Sequence, residues 1–406
     1  MTAELLDVDS ALRQMLGAAR PLGPARTLPL QQACGSVLAT TLRSPIDVPG
    51  RDNSQMDGYA LRCADVASPG ARLPVTQRIA AGHPGTALGA GEAARIFTGA
   101  AIPDGADAVV PQEQCEADGD AVRVLVQPRA GDWIRRRGSD VAAGQIVLDI
   151  GHRLRAQDVA QAASIGVADL AVAPRPRVAL LSTGDELVNP GEPLPPGAIY
   201  DSNRYLLGAM LRGYGCAVSD LGQVPDRLDA TIDALRAAAQ EHDLIVSCGG
   251  VSVGGEDHVK PALRALGELT MWQIAMKPGK PLAFGSVPRA DATSAHFIGL
   301  PGNPVSSFVT CALFVRPFVL ALQGARALQP SAMQLPSASD WPRADRRREF
   351  LRARLDGNGA VELYPNQNSA VLSSVVWGDG LIDNPPGRAF VRGDLVRFIP
   401  FDALLR

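Results

Sequence analysis

The chain reads as a multidomain α/β plus β protein: a central parallel-sheet α/β domain, a β-rich inserted domain ahead of it, and a small C-terminal β-barrel. Three observations predict this. From residue 177 onward, short apolar runs alternate with segments of helical period. Residues 50 to 138 are instead dense in Gly and Pro, with apolar runs as short as DAVVPQE and DAVRVLVQP. The tail from about 328 returns to short strands, with DGNG at 356 to 359 as a hairpin turn.

Taken in order, VDSALRQMLGAAR at about 8 to 20 predicts an amphipathic helix capped by Asp9 or Ser10, with Leu12, Met15 and Leu16 on one face. AQDVAQAASI at 156 to 165 predicts another, and the Pro-rich APRPR at 173 to 177 marks a domain boundary. RVALLS and DLIVSC read as strands. DSNRYLLGAMLRGYG, DRLDATIDALRAAAQEH and DHVKPALRALG read as helices, the second with Leu228, Ile232 and Leu235 on one face. HFIGL leads through PGNP into a long helix, with Asn303 as cap and Pro304 at its first position. The rhythm predicts a parallel sheet with ligands outside the carboxyl ends of its strands. The expected division is 1–49 with 139–173 as an elongated linker domain, 50–138 as the inserted β domain, 174–327 as the α/β domain and 328–406 as the barrel.

Composition excludes several classes. Lys and Arg number 39 against 42 Asp and Glu, a net charge of -3, so no basic field draws nucleic acid. The six cysteines form no C-x-x-C, which speaks against a zinc site or disulfide framework and for reduced, cytoplasmic thiols. Glu4, Asp7 and Asp9 stand where a secretory signal needs positive charge. PVSSFVTCALFVRPFVLAL is broken by Arg316 and Pro317, which suits a buried helix better than a membrane span. A soluble protein is expected.

The chemistry gathers at four strand ends: LLSTGDEL (180–187), SCGGVSVGGED (247–257), MKPGKP (276–281) and LPGNPVS (300–306). The glycine loop is not a P-loop, because Gly255 and Glu256 replace the required Lys and Ser or Thr. It also fails G-x-G-x-x-G, since Gly249 and Gly250 are adjacent. What remains is a strand running into bare backbone that a ligand approaches closely. On one rim the four stretches bring together Thr183, Asp185 and Glu186, then Ser252 and Asp257, then Lys277 and Lys280, then Asn303 and Ser306. Carboxylates beside ammonium groups describe a site for an anion held with a divalent metal. Singly, Asp185 or Glu186 reads equally as a turn cap and KPGK as an exposed hairpin. The histidines at 83, 152, 242, 258 and 296 show no ligand spacing, and Arg135 to Arg137 read as a solvated face.

NSQMDGYA at 53 to 60, RIFTGAAIPDGADAVVPQE at 95 to 113, STGDEL, GGVSVG, KPGKP and LPGNPVS, in this order, resemble the molybdopterin molybdenumtransferase family, which includes the MoeA and gephyrin E-domain proteins. The resemblance implies a homodimer, joined through segments flanking the β domain, whose site is shared between the α/β domain of one subunit and the β domain of the other. It implies a reaction: adenylylated molybdopterin and molybdate give molybdenum cofactor and AMP, with Mg2+. Carried over, Asp57, Thr98, Asp140, Glu186, Asp226 and Asp257 form the catalytic lining, with Glu186 and Asp257 on the metal. Thr183, Gly249, Gly250, Ser252, Gly254, Lys277, Lys280 and Asn303 meet the substrate, and Ser306, Arg352 and Ser369 the molybdate. Gln55 and Gln273 depart from residues found in many relatives. Implied partners are molybdopterin adenylyltransferase and apo-molybdoenzymes. Adenylyl transfer to molybdopterin and a non-catalytic pterin-binding scaffold are the alternatives, and retention of both rim lysines with the carboxylates favours catalysis.

Overall fold

The computed structural model describes residues 5–250 and 258–406. Its first helix, Val8–Ala18, buries Val8, Ala11, Leu12 and Met15. The cap is Asp7, not Asp9 or Ser10: Asp7 keeps an extended backbone and its carboxylate accepts the Ser10 N–H at 2.9 Å. Asp9 lies within the first turn, and its carboxylate meets Arg348 at 3.0 Å instead.

The central sheet has six strands in the order Ala217–Val224, Arg177–Thr183, Leu244–Cys248, Ser294–Leu300, Pro281–Pro288, Glu268–Gln273. The first four are parallel; the helices Ser202–Gly213 and Leu228–Glu241 join the first three, and the chain reaches Ser294–Leu300 only after the helix Val259–Leu266 and the two remaining strands. The last two join by antiparallel pairing, so Pro281–Pro288 alone runs against the other five and the sheet, parallel in its first four strands as expected, is mixed at this edge. The reason lies in connection length: only 289–293 separate Pro281–Pro288 from Ser294–Leu300, too short for the crossover a parallel pair requires. The reversal matters for the site, because it brings the start of Pro281–Pro288 to the same rim as the ends of the parallel strands.

The apolar segment Pro304–Leu322 is one helix, long and apolar enough to cross a membrane, and 89% of it is buried inside the protein. Phe308, Phe314 and Phe318 pack into the main core beneath the sheet. A π turn at Cys311–Val315 precedes Pro317, whose ring carries no N–H and displaces the carbonyl four residues back; the wider turn absorbs the mismatch.

In the inserted region a six-stranded sheet runs Ala108–Pro111, Gly58–Leu61, Ala93–Ile96, Ala71–Ile79, Ala121–Val124, Cys115–Asp118. Gly58 is demanded by packing, since a Cβ there would lie 2.0 Å from the Val110 carbonyl oxygen. On either side of this domain the chain pairs with itself: Arg26–Pro29 with Asp169–Val172, and Leu42–Arg43 with Ile146–Leu148. The C-terminal sheet joins Arg348–Leu355, Gly380–Asn384, Leu395–Pro400 and Met333–Pro336, with Val361–Leu363 beside the first. A bridge from Ser337 to Val361 closes this ring. Asp356 anchors the DGNG turn by accepting the N–H groups of Asn358 and Ala360 at 2.8 and 3.0 Å. Met276–Lys277 adds to this sheet in parallel with Arg348–Glu349, so the central domain lends it a strand.

Candidate active site

The carboxyl ends of the parallel strands open on a cleft of about 1190 Å³, walled by residues of both the central and the C-terminal domains. Gly249 and Gly250 leave the Leu244–Cys248 strand with φ of +90° and +66°, where side chains are strained. A Cβ on Gly249 would stand 2.8 Å from the Thr183 carbonyl oxygen, and one on Gly250 would stand 2.4 Å from Val259 Cγ2. The two strand-end loops can therefore touch only through bare backbone. Ser252, Gly254 and Asp257, the rest of that loop's predicted ligands, lie outside the described residues.

Thr183, Glu186, Asp226, Gly249 and Gly250 line the cleft. The Gln223 amide donates to the Gly184 carbonyl at 2.7 Å, and the Asp226 N–H donates to Asp185 Oδ1 at 3.3 Å. Asp185 thus serves a turn, while Glu186 and Asp226 face the cleft. Lys277, Lys280, Asn303, Ser306 and Ser369 line it as well. The two lysines differ. Lys277 Nζ lies 3.5 Å from both Asp345 and Glu349, the latter 1% exposed. Glu349 also accepts the Trp341 indole N–H at 2.8 Å. Lys280 is exposed and makes no ion pair among the described residues. KPGK is accordingly a wall of the cleft stitched to the neighbouring domain, rather than a free hairpin.

Asn303 occupies the cap position of the Pro304–Thr310 helix, yet its side chain makes no capping hydrogen bond. Ser369 is placed by its carbonyl, which accepts the Val305 N–H at 3.0 Å. Arg352 does not line the cleft, contrary to its expected place in the molybdate pocket. It is fully buried, and its guanidinium donates to Ser374 Oγ at 3.0 Å and the Asn368 carbonyl at 3.2 Å. The side chain of Gln367 accepts from Arg352 N and donates to Arg352 O, both at 2.9 Å. Arg352 therefore holds the 367–370 loop from behind. Burial without a carboxylate pulls its pKa down to about 10, so it keeps its charge at neutral pH.

Among the cleft residues that escaped the sequence reading are Tyr200, Asp201, Asn203 and Arg347. Asp201 caps the Ser202–Gly213 helix through the Arg204 N–H at 3.1 Å, and Asn203 donates to the Gly302 carbonyl at 2.6 Å. The YDSN stretch therefore locks onto the PGN turn, although in sequence it signals only a helix start. Arg347 forms a two-pronged pair with Asp345, at 3.0 and 2.8 Å, which holds the Asp345 carboxyl well below its usual range. A run of arginines at 346 to 348 hides this residue in sequence.

Asp57, Thr98 and Asp140 do not line the cleft of their own chain. Asp57 Oδ1 accepts both the N–H and the hydroxyl of Thr98 at 2.8 Å, and these bonds hold the carboxyl below its ordinary value. Asp140 is exposed, with its N–H on the Val48 carbonyl at 3.0 Å. Among the described residues, no three His, Cys, Asp or Glu side chains gather into a metal cage. Glu186 and Asp226 both line the cleft, and their carboxylate oxygens are the donor type that a Mg2+ ion would take.

Residues 6–166 match the MoeA N-terminal region (domain I and II), 179–321 the probable molybdopterin binding domain, and 334–401 the MoeA C-terminal region (domain IV). Fold and cleft together define a transferase of molybdenum cofactor biosynthesis built on a molybdopterin-binding domain. A molybdopterin molybdenumtransferase of Haemophilus influenzae is 37% identical, over 99% of this chain and 100% of that protein. One from Nostoc is 39% identical over 89% of this chain and 85% of its own length. The crystal structure of a molybdopterin biosynthesis MoeA protein from Pyrococcus horikoshii OT3 superposes with a TM-score of 0.85 at 27% identity, over 98% of this chain and 100% of that one. The chain belongs to the molybdopterin molybdenumtransferase family.

Proposed function

We propose that this transferase inserts molybdate into adenylylated molybdopterin, releasing AMP and molybdenum cofactor in a Mg2+-dependent reaction. The observation that carries the reading is a single cleft lined by the carboxylates Glu186 and Asp226 and by the cations Lys280 and Arg347. Molybdate and a phosphoanhydride repel one another, so their approach requires fixed cations, and preorganised ones cost no reorganisation when the reaction occurs. Lys280 meets the incoming oxyanion, and Arg347, already held by Asp345, sets its position. Ser306 and the Ser369 loop close the floor around it. Bound between Glu186, Asp226 and the phosphates, Mg2+ would neutralise charge developing on the leaving AMP.

The enzyme works as a homodimer in this reading, with the Asp57 and Thr98 pair of a second copy completing the cleft. Support comes from the placement of that pair on a domain that supplies no residue to its own chain's cleft. A cytoplasmic enzyme would receive its substrate from a molybdopterin adenylyltransferase and pass its product to apo-molybdoenzymes. The test is to incubate the protein with adenylylated molybdopterin, Mg2+ and molybdate, following AMP release and reconstitution of an apo-molybdoenzyme. Pterin binding without molybdate-dependent AMP release would overturn the proposal and leave a carrier.

A further inference from the structure

Two of the cations that line the cleft, Lys277 and Arg347, are backed by carboxylates, Asp345 and Glu349, that do not line it. Asp345 serves both cations, Arg347 at 3.0 and 2.8 Å and Lys277 at 3.5 Å. Glu349 is the more constrained acid. It is 1% exposed on the Arg348–Leu355 strand, where its register partners are Lys277 on one side and Asn384 on the other. The Trp341 indole N–H at 2.8 Å and the Asn384 amide at 3.3 Å both donate to Glu349 Oε2. The other oxygen, Oε1, is left to Lys277, whose Nζ lies 3.5 Å away. Charge-assisted hydrogen bonds usually run shorter, at about 2.8 Å. The lysine is therefore shared by two carboxylates and gripped tightly by neither, with 41% of its side chain still exposed.

We propose that Glu349 is a positioning residue that acts through Lys277: it restrains the ammonium at the cleft wall and limits the positive charge offered to an incoming oxyanion. Three considerations support that role. A cation shared by two carboxylates must give up part of their attraction before it moves onto a ligand, so it adds little to ground-state binding. Tighter ground-state binding lowers KM without raising kcat, so a restrained cation suits turnover better than a free one. Glu349 is fixed by the neutral donors Trp341 and Asn384, so its charge is left to act on Lys277 and, at longer range and behind the larger effect of Asp345, on Arg347. The inference rests on the proposed reaction only in identifying the oxyanion as molybdate.

The test uses the full chain with Glu349→Gln, whose amide oxygen can still accept from Trp341 although the charge is gone, and molybdate and sulfate as calorimetric probes. Both oxyanions should bind this variant about tenfold more tightly. Most of that gain should vanish against a Lys277→Met background, because the effect passes through the ammonium. Damage to packing alone would weaken binding instead. Weaker or unchanged binding, or a gain undiminished by Lys277→Met, would overturn the role. If Glu349→Gln does not fold, Lys277→Met by itself decides: loss of a restrained lysine should weaken molybdate binding less than about threefold, and a loss as large as that of Lys280→Ala overturns the restraint. In turnover, KM for molybdate should fall in Glu349→Gln while kcat does not rise, and a raised kcat counts against the proposal. AMP release separates the two ideas: oxyanion binding that tightens in Glu349→Gln, without turnover in the wild type, sinks the reaction and keeps the positioning role. Wild-type turnover with unchanged oxyanion affinity in the variant does the reverse.

Discussion

Two lysines three positions apart do different work, and the difference is measurable. Lys280 is exposed and uncommitted among the described residues, so Lys280→Ala should raise the molybdate concentration for half-maximal turnover about tenfold, with little change in the thermal midpoint. Lys277 sits against Glu349, which is 1% exposed and keeps its other oxygen on Trp341. Lys277→Ala leaves that buried carboxylate short of its cation, and should cost about 2 kcal/mol of stability after allowance for the lysine's own exposure. Urea unfolding of the two variants side by side checks the assignment. Equal stability losses would mean that Lys277 is as free as Lys280.

The glycine loop sets a constraint on a whole element. Gly250 takes φ +66°, and a Cβ added there would stand only 2.4 Å from Val259 Cγ2, at the start of the Val259–Leu266 helix. Gly250→Ala combines backbone strain of about 1–3 kcal/mol with a clash that pushes this helix off the sheet. The expected outcome is a lowered urea midpoint together with loss of AMP release, whereas Gly302→Ala should be mild, because nothing lies within 4 Å of its added carbon. A Gly250→Ala variant as stable as wild type would show that the loop adapts.

At the scale of the molecule, the cleft is a seam between domains, and its stability should depend on pH. Arg347 holds the Asp345 carboxyl below its ordinary 3.8, with Lys277 adding to the effect. A carboxylate depressed in the folded state contributes stability that is fully present above 3.8 and is lost as pH falls through the folded value. Asp345→Asn should therefore lower the thermal midpoint at neutral pH, and the gap from wild type should close in strong acid. A gap independent of pH would assign the loss to packing. The shared-site proposal makes a second prediction: Asp57→Asn and Glu186→Gln chains, each inactive alone, should regain part of their activity as heterodimers. Heterodimers that form without recovery would place the whole site in one subunit.

Periodicity and turn chemistry determined much of this by themselves. The βαβ rhythm after 177, the buried rather than membrane-spanning character of PVSSFVTCALFVRPFVLAL, and the gathering of STGDEL, CGG, KPGK and PGNP at one rim all follow from local patterns that packing did not override. Local patterns carry no information about partners distant in sequence. Only the tertiary structure reversed Pro281–Pro288 within the central sheet, lent Met276–Lys277 to the C-terminal sheet, and set Lys277 against Asp345 and Glu349. It also withdrew Arg352 behind the 367–370 loop and brought Arg347 to the cleft, although both lie in the same short arginine-rich stretch. Which arginine faces a ligand is decided by strand alternation and by the carboxylates that the rest of the fold delivers to it, and neither is written at the arginine itself.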